Sequence, residues 1–244
     1  GAQVSWAGGV SMIISACTIL SALASDRLNE RLGTGRVTAI SVATTAAALL
    51  GFSFCHAFWQ LCLWAIPYGL GAGSVDAALN NYVALHYKSR HMSWLHCMWG
   101  VGASLGPVIM GQALAGSGWQ GGYRIIGILQ VVLTVVLLFS LPLWKLPQDA
   151  MGGEPFTPQH RSFPELLKIT GVPEVLVCFL CYCALESTAG MWASSYCTLV
   201  RGLDAQTAAS WASLFYLGIT AGRFISGFLT MKMIMMTMPT IIQM

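Results

Sequence analysis

The feature that most constrains this chain is a series of long stretches without charged residues. Residues 37–75 contain no Asp, Glu, Lys or Arg. About 20 apolar residues in a helix cross the hydrocarbon core of a bilayer, so this stretch predicts two spans joined by a tight turn near His56 and Ala57. The apolar runs are long and do not alternate with polar residues, which favours membrane helices over the strands of a membrane barrel.

Composition excludes a water-soluble fold. Charged residues make up 9% of the 244 residues, whereas soluble domains contain about 25%. Hydrophobic residues make up 56%, and the mean hydropathy is +0.67. The sequence therefore predicts an all-α, polytopic membrane protein whose main partner is the lipid bilayer.

Seven transmembrane spans are predicted from the uncharged windows, at about residues 3–24, 37–55, 58–80, 94–115, 123–143, 173–199 and 206–231. Residues 25–36 and 80–93 are expected to be loops. Prolines and charged residues concentrate in residues 144–171, which predicts a linker because proline interrupts helices. The chain divides into a first unit at 1–143, this linker, and a second unit at 172–244.

The basic residues predict an orientation in the membrane. Nine Lys and Arg residues fall on one side of the predicted spans and two on the other, while Arg223 lies inside a span. Cytoplasmic loops carry the excess of Lys and Arg. We therefore expect a multi-pass protein of the plasma (inner) membrane, with the linker cytoplasmic and residue 1 external.

Several function classes lack sequence support. The net charge of +3 comes without clusters of basic and aromatic residues, so no nucleic-acid partner is expected. The eight cysteines are scattered through apolar runs and have no metal-site spacing, so neither a metal nor a cofactor is expected. Nucleotide-loop, zinc-hydrolase and serine-hydrolase motifs are absent, so we do not expect an enzyme.

Asp76 is the first of three charged residues within predicted spans. A charge near the bilayer centre costs roughly 2.5–3.5 kcal/mol, so such a residue is a functional candidate. Gly69, Gly73, Asp76 and Asn80 recur on one helix face, which is too small and polar to face lipid. Asp76 is either a titratable acid in a transport path or a structurally paired residue near the interface.

Glu186 lies near the middle of the sixth span, with Tyr182 and Gly190 on the same helix face. Burial away from water disfavours a charged carboxylate, so Glu186 is a candidate for proton exchange. Structural pairing is the alternative interpretation. Trp99 and Trp192 are candidates for stacking against a sugar ring, although tryptophans in membrane helices more often serve packing or interfacial belts.

Arg223 lies toward the cytoplasmic end of the seventh span, and a structural or gating role is favoured over substrate binding. The fourth span contains the small-residue pattern GVGASLGPVIMG. Small residues allow close helix packing, and proline bends a helix. The pattern predicts a hinge or a tight packing seam, formed by Gly102, Gly106, Pro107 and Gly111.

The sequence resembles the major facilitator superfamily of transporters. SALASDRLNERLGTGR is similar to the family's loop signature after its second helix, with Asp26, Arg27 and Arg31 at matching positions. GASLGPVIMG resembles the fifth-helix signature, and GRFISGFLTMK resembles the eighth helix. The resemblance implies that the chain covers family helices two to eight of twelve, with the first helix and the last four outside it. It also implies alternating access, and a protein that is monomeric in its complete form.

Within that superfamily the sequence is most similar to fucose-permease-like sugar:proton symporters. GLGAGSVDAALNN resembles their fourth helix, with Asp76 and Asn80 matching the acid and the asparagine. CYCALESTAGMW resembles their seventh helix around Glu186. The resemblance implies a small sugar-like substrate, coupling to a proton through Asp76 or Glu186, and substrate contacts from Asn80, Tyr182, Trp192 and Trp99. It implies that Asp26, Arg27 and Arg31 latch the cytoplasmic gate.

Three alternatives remain open from the sequence. The first is a drug or metabolite exporter of the same fold, working by proton antiport. The second is a seven-helix receptor, against which the central linker argues. The third is a membrane enzyme, for which His86, His91 and His96 are the available candidates.

Overall fold

The computed structural model describes residues 6–87, 89–144 and 163–241, and these ranges contain helices and no strands. Five long helices come first: α1 (Trp6–Leu32), α2 (Thr34–Ser53), α3 (Phe58–His86), α4 (Ser89–Ala115) and α5 (Gly118–Ser140). A 3₁₀ turn, Leu141–Trp144, follows α5. Beyond residue 162 come the short α6 (Phe163–Leu166) and the long α7 (Val172–Leu199) and α8 (Ala205–Ile241).

Six of the seven long helices in the described ranges are long and apolar enough to cross a membrane. The prediction of an all-α, polytopic helical bundle is confirmed. The exception is α3, which is long enough but falls outside this set, and which contains Pro67, Asp76, Asn80 and several glycines. This helix packs against both α1 and α2.

Two regions expected as loops are largely helical. α1 continues through Asp26, Arg27 and Arg31 to Leu32, and α2 begins again at Thr34. Between them Gly33 adopts a φ of 79°, a conformation that glycine adopts without steric penalty. Residues 80–93 are likewise mostly helical, since α3 extends to His86 and α4 begins at Ser89. Loss of apolar character marks the end of a span, but it does not by itself end a helix.

The most buried helix of the first unit is α2, which packs against α3 and α5. Its inner face is small, with Ala39, Ala46 and Ala48 almost fully buried. At one end, Leu49 and Phe52 of α2 and Ala65 of α3 form a compact apolar cluster. This packing holds the first unit together and fixes the position of α3.

Helices α4 and α8 pack along an antiparallel seam. A Cβ atom added at Gly100 would lie 3.0 Å from the Thr220 Cβ and 3.2 Å from its Cα, and one at Gly111 would lie 2.9 Å from the Ala209 Cβ. Close approach of this kind needs residues without a bulky side chain. Further contacts along the same seam join Ser213 to Ser104 and Gly227 to Ser93.

The glycines of α4 differ in their surroundings. Gly111 lies in the seam, but a Cβ at Gly102 or Gly106 would meet no atom within 4 Å. The helix repeat explains the difference, because a residue two positions after Gly100 is rotated by about 200° and points away from α8. α4 is helical through Pro107, and whether it bends during transport remains a prediction.

Candidate functional site

A cavity of about 850 Å³ opens between α3, α4, α7 and α8. Volumes of this order are typical of small-molecule sites. Six residues selected from the sequence line it: Asp76, His96, Trp99, Tyr182, Glu186 and Arg223. It therefore brings together charged residues from three helices, at the junction of the two units. We call it the four-helix cavity.

Arg223 of α8 contacts residues of both α4 and α7 in the four-helix cavity. Its Nη2 donates a hydrogen bond to the Tyr182 hydroxyl at 2.7 Å, and its Nη1 donates to the His96 carbonyl oxygen at 3.3 Å. The guanidinium lies over the Trp99 ring, with Cζ 4.6 Å from the ring centroid. Arginine is suited to this combination because its planar group can stack and donate hydrogen bonds at once. Arg223 thus contacts α4 of the first unit and α7 of the second.

Glu186 of α7 forms an ion pair with Arg223. Its Oε2 lies 3.5 Å from the Arg223 Nη2, and the two side chains are only 12% and 24% exposed, respectively. The other carboxylate oxygen, Oε1, is buried and has no hydrogen-bond partner among the described residues. A buried polar atom without a partner is costly, so a ligand donor at Oε1 would be stabilising.

Asp76 of α3 lines the same cavity in a different environment. It is exposed, and the Asn80 Nδ2 donates a hydrogen bond to its Oδ1 at 3.0 Å. No ion pair within the described residues involves Asp76. Asn80 is held one helical turn away and does not line the cavity, while its own Oδ1 is buried without a partner. The cavity therefore contains one paired and one unpaired carboxylate.

The position of Asp76 follows from how α3 packs on α1. A Cβ at Gly69 would lie 2.5 Å from the Ile14 carbonyl oxygen, and the Thr18 hydroxyl donates to the Gly69 carbonyl at 3.2 Å. Gly73 packs equally closely on Thr18. The small face recognised in the sequence is thus divided: its glycines contact α1, and Asp76, farther along, reaches the cavity.

Not every predicted site residue reaches the cavity. Trp192 is exposed on α7 and does not line it. Asp26, Arg27 and Arg31 are exposed on α1, and none of them forms an ion pair within the described ranges. The structure therefore separates these four residues from the charged cluster.

The sequence interpretation missed Tyr216 and considered His96 only for the membrane-enzyme alternative, yet both line the cavity. Tyr216 packs edge-on against Trp99, with ring centroids 6.1 Å apart. A usable signal was present, since Tyr216 precedes Arg223 by seven positions and therefore shares its helix face. The contact of His96 with Arg223 was not predictable, because it is made by a backbone carbonyl oxygen and has no sequence signature.

Two smaller cavities differ from this site in their chemistry. One, of about 560 Å³, is lined by Arg36, His86 and Trp144 among others, and the second, of about 660 Å³, is almost entirely apolar. Neither has a carboxylate in its lining. Within the described residues no three His, Cys, Asp or Glu side chains are arranged to hold a metal ion.

The family model of the Major Facilitator Superfamily matches residues 1–243. No curated protein sequence matches the chain significantly. Because members of this family are transporters, the match decides against the seven-helix receptor considered above. The chain belongs to the major facilitator superfamily, and it is a multi-pass membrane protein of a family that transports small molecules.

Proposed function

We propose that this protein is a proton-coupled symporter of a small, sugar-like solute, which binds in the four-helix cavity. The observation that carries the proposal is the cavity itself, which joins two carboxylates, an arginine and several aromatic rings where the two units meet. Transporters of this general kind bind substrate at the junction of two helical units and expose it to each side in turn.

The two carboxylates are the proposed proton carriers. Moving a charge through a low-dielectric site is costly, so a carboxylate that must cross between aqueous sides gains from taking up a proton. Asp76 is the accessible group, and Glu186 is the one held by Arg223. Protonation of Glu186 would weaken its pairing with Arg223 and so loosen the connection between α7 and α8.

The aromatic residues are proposed to hold the solute. Trp99, Tyr182 and Tyr216 line the cavity, and flat rings beside polar groups suit a sugar, which has apolar faces and a hydroxyl rim. Asn80 acts indirectly through its hydrogen bond to Asp76. Trp192 lies outside this cavity, so the present geometry gives it no substrate contact.

The orientation proposal follows from the excess of Lys and Arg on one side. The C-terminal ends of α1, α3 and α5, together with the linker, would face the cytoplasm. The turn around His56 would face the opposite side of the membrane. Asp26, Arg27 and Arg31 would act at the cytoplasmic gate, in a conformation in which they contact other residues of the gate. The proposed location is the plasma (inner) membrane.

A drug or metabolite exporter is the second candidate, favoured by the Gly106–Pro107 pair in α4, which resembles an antiporter signature. Transport direction separates the two functions. In proteoliposomes carrying the full-length protein, an inwardly directed proton gradient should drive accumulation of a labelled monosaccharide, and a protonophore should abolish it. Proton-driven extrusion would identify an exporter, whereas the absence of any proton-dependent flux across a panel of neutral sugars and amphiphilic cations would contradict both.

A further inference from the structure

Among the described residues, the charges that line the four-helix cavity do not balance. They are the carboxylates of Asp76 and Glu186 and the guanidinium of Arg223, a formal surplus of one negative charge. Glu186 is matched by Arg223 at 3.5 Å. The surplus therefore resides on Asp76, whose hydrogen bond from Asn80 comes from a neutral amide.

The other titratable groups that line the cavity do not cancel this surplus. On α4 and α7 they are His96, Tyr182 and Cys183, and on α8 Tyr216. With histidine counted as neutral, none of the four adds a formal charge. His96 presents its backbone carbonyl oxygen to Arg223, which adds a further partial negative charge beside the guanidinium.

We propose that Asp76 accepts either a proton or the ammonium group of a monocationic amino sugar, so that the cavity selects substrates by charge. This inference rests on the proposed function and adds the substrate class. One positive charge neutralises the occluded cavity, whether it arrives as a proton beside a neutral sugar or as part of the substrate. A uronate would instead raise the surplus to two negative charges, a sugar phosphate would raise it further, and both would be rejected.

The geometry supports an ammonium group at this position. Asp76 is exposed to the cavity, so its carboxylate can be approached without breaking an existing ion pair. The aromatic rings of Trp99, Tyr182 and Tyr216 line the same space, and the faces of such rings attract cations. Glu186 offers a second acceptor in its unpartnered Oε1, which suits a hydroxyl donor of the same sugar.

The test compares three probes of nearly equal shape: glucose, glucosamine and glucuronate. Binding to the full-length protein is measured by calorimetry at pH 7, where most of the glucosamine carries its ammonium charge and the charge count of the cavity applies. The wild type should bind glucosamine more tightly than glucose, and glucuronate least. In Asp76→Asn the preference for glucosamine over glucose should fall by about tenfold, the loss of one charge contact. Asp76→Glu should restore it, and Glu174→Gln, a carboxylate on α7 outside the cavity, should behave as wild type.

Proton movement gives an independent readout. In proteoliposomes glucose entry should carry protons inward, whereas glucosamine entry should not. A wild type that fails to bind glucosamine, that prefers glucuronate, or whose preference survives Asp76→Asn would overturn the charge-selection proposal. Proton-driven glucose uptake with charge-blind binding would leave the proposed function standing while this inference fails. Charge-selective binding without any proton-driven uptake would support charge selection and contradict the proposed proton symport.

Discussion

The Glu186 carboxylate and the Arg223 guanidinium lie 3.5 Å apart across the contact between α7 and α8. Both side chains are mostly shielded from solvent, and Arg223 also contacts Tyr182 and the backbone of α4. Losing one member of a shielded pair leaves the other charge without compensation. The pair therefore contributes to stability as well as to the proposed transport cycle.

Arg223→Met should destabilise the protein by about 2 kcal/mol, since it leaves Glu186 unpaired and removes the stacking on Trp99. The measurement is the thermal unfolding midpoint in detergent. Arg201→Met is the matched control, because Arg201 is an exposed arginine that contacts the Tyr196 ring. An Arg223→Met variant as stable as Arg201→Met would contradict the account of the pair.

The seam between α4 and α8 predicts a contrast between two glycines of the same helix. Gly100→Ala places a methyl group against Thr220, where the Cα is only 3.2 Å away, and overpacking of this kind costs about 1–3 kcal/mol. Gly102→Ala meets nothing within 4 Å and should be neutral or slightly stabilising, because alanine favours helix. Equal unfolding midpoints for the two variants would show that the seam does not lie at Gly100.

Much of the fold followed from the sequence, for a physical reason. Every membrane span must be an apolar helix of about 20 residues, so uncharged windows such as residues 37–75 predicted the helices before the linker. Helix ends were harder to predict from the sequence, because α1 continues past the apolar run to Leu32 and ends only at Gly33. The expected loop signature around Asp26 is accordingly helical.

The candidate site was partly predictable, because a charged residue inside a membrane span is energetically costly and therefore indicates a functional role. Asp76, Glu186 and Arg223 stood out because charge inside a span is expensive, and the structure places all three on one cavity. Their pairing was not predictable, since Glu186 and Arg223 are on different helices and nothing local encodes their approach. The close contact of Gly100 with α8 was also missed. Gly102 and Gly106 have the four-residue spacing that suggests close packing, but a Cβ at either would meet no atom within 4 Å.

Asp204 caps the start of α8, and this predicts a pH dependence outside the membrane. Its Oδ1 accepts a hydrogen bond from the Thr207 backbone N–H at 3.0 Å, and the contacts with Thr207 hold the pKa of Asp204 below its usual value of 3.8. A lowered pKa in the folded state means that the stabilisation is fully present above the usual value and is lost as pH falls through the folded value.

Asp204→Ala should therefore lower the unfolding midpoint at neutral pH, and the difference from wild type should shrink in strong acid. Asp204→Asn keeps a side-chain acceptor, so it should retain most of the stability at neutral pH without the acid-dependent loss. Thermal midpoints of the three proteins at neutral and acidic pH provide the check. A constant gap between Asp204→Ala and wild type at every pH would contradict a role for the charged carboxylate.

Trp99 and Trp192 provide a paired test of where the solute binds. Trp99 lines the four-helix cavity, whereas Trp192 lies outside it. Trp99→Ala should raise the apparent KM for the transported solute about tenfold, consistent with the loss of one aromatic contact of about 1 kcal/mol or more. Trp192→Ala should leave KM near the wild-type value. The opposite pattern would move the binding site to the Trp192 region of α7.

The central claim is that Asp76 and Glu186 couple protons to solute movement through the four-helix cavity. The most direct measurement is proton-driven accumulation of the transported solute in proteoliposomes, compared with solute exchange at equal pH on both sides. Asp76→Asn and Glu186→Gln should each reduce accumulation at least about tenfold, as expected when the proton carrier is removed. At least one of them should retain exchange, while Glu174→Gln should accumulate like wild type. Unchanged proton-driven accumulation in both cavity variants would contradict the account.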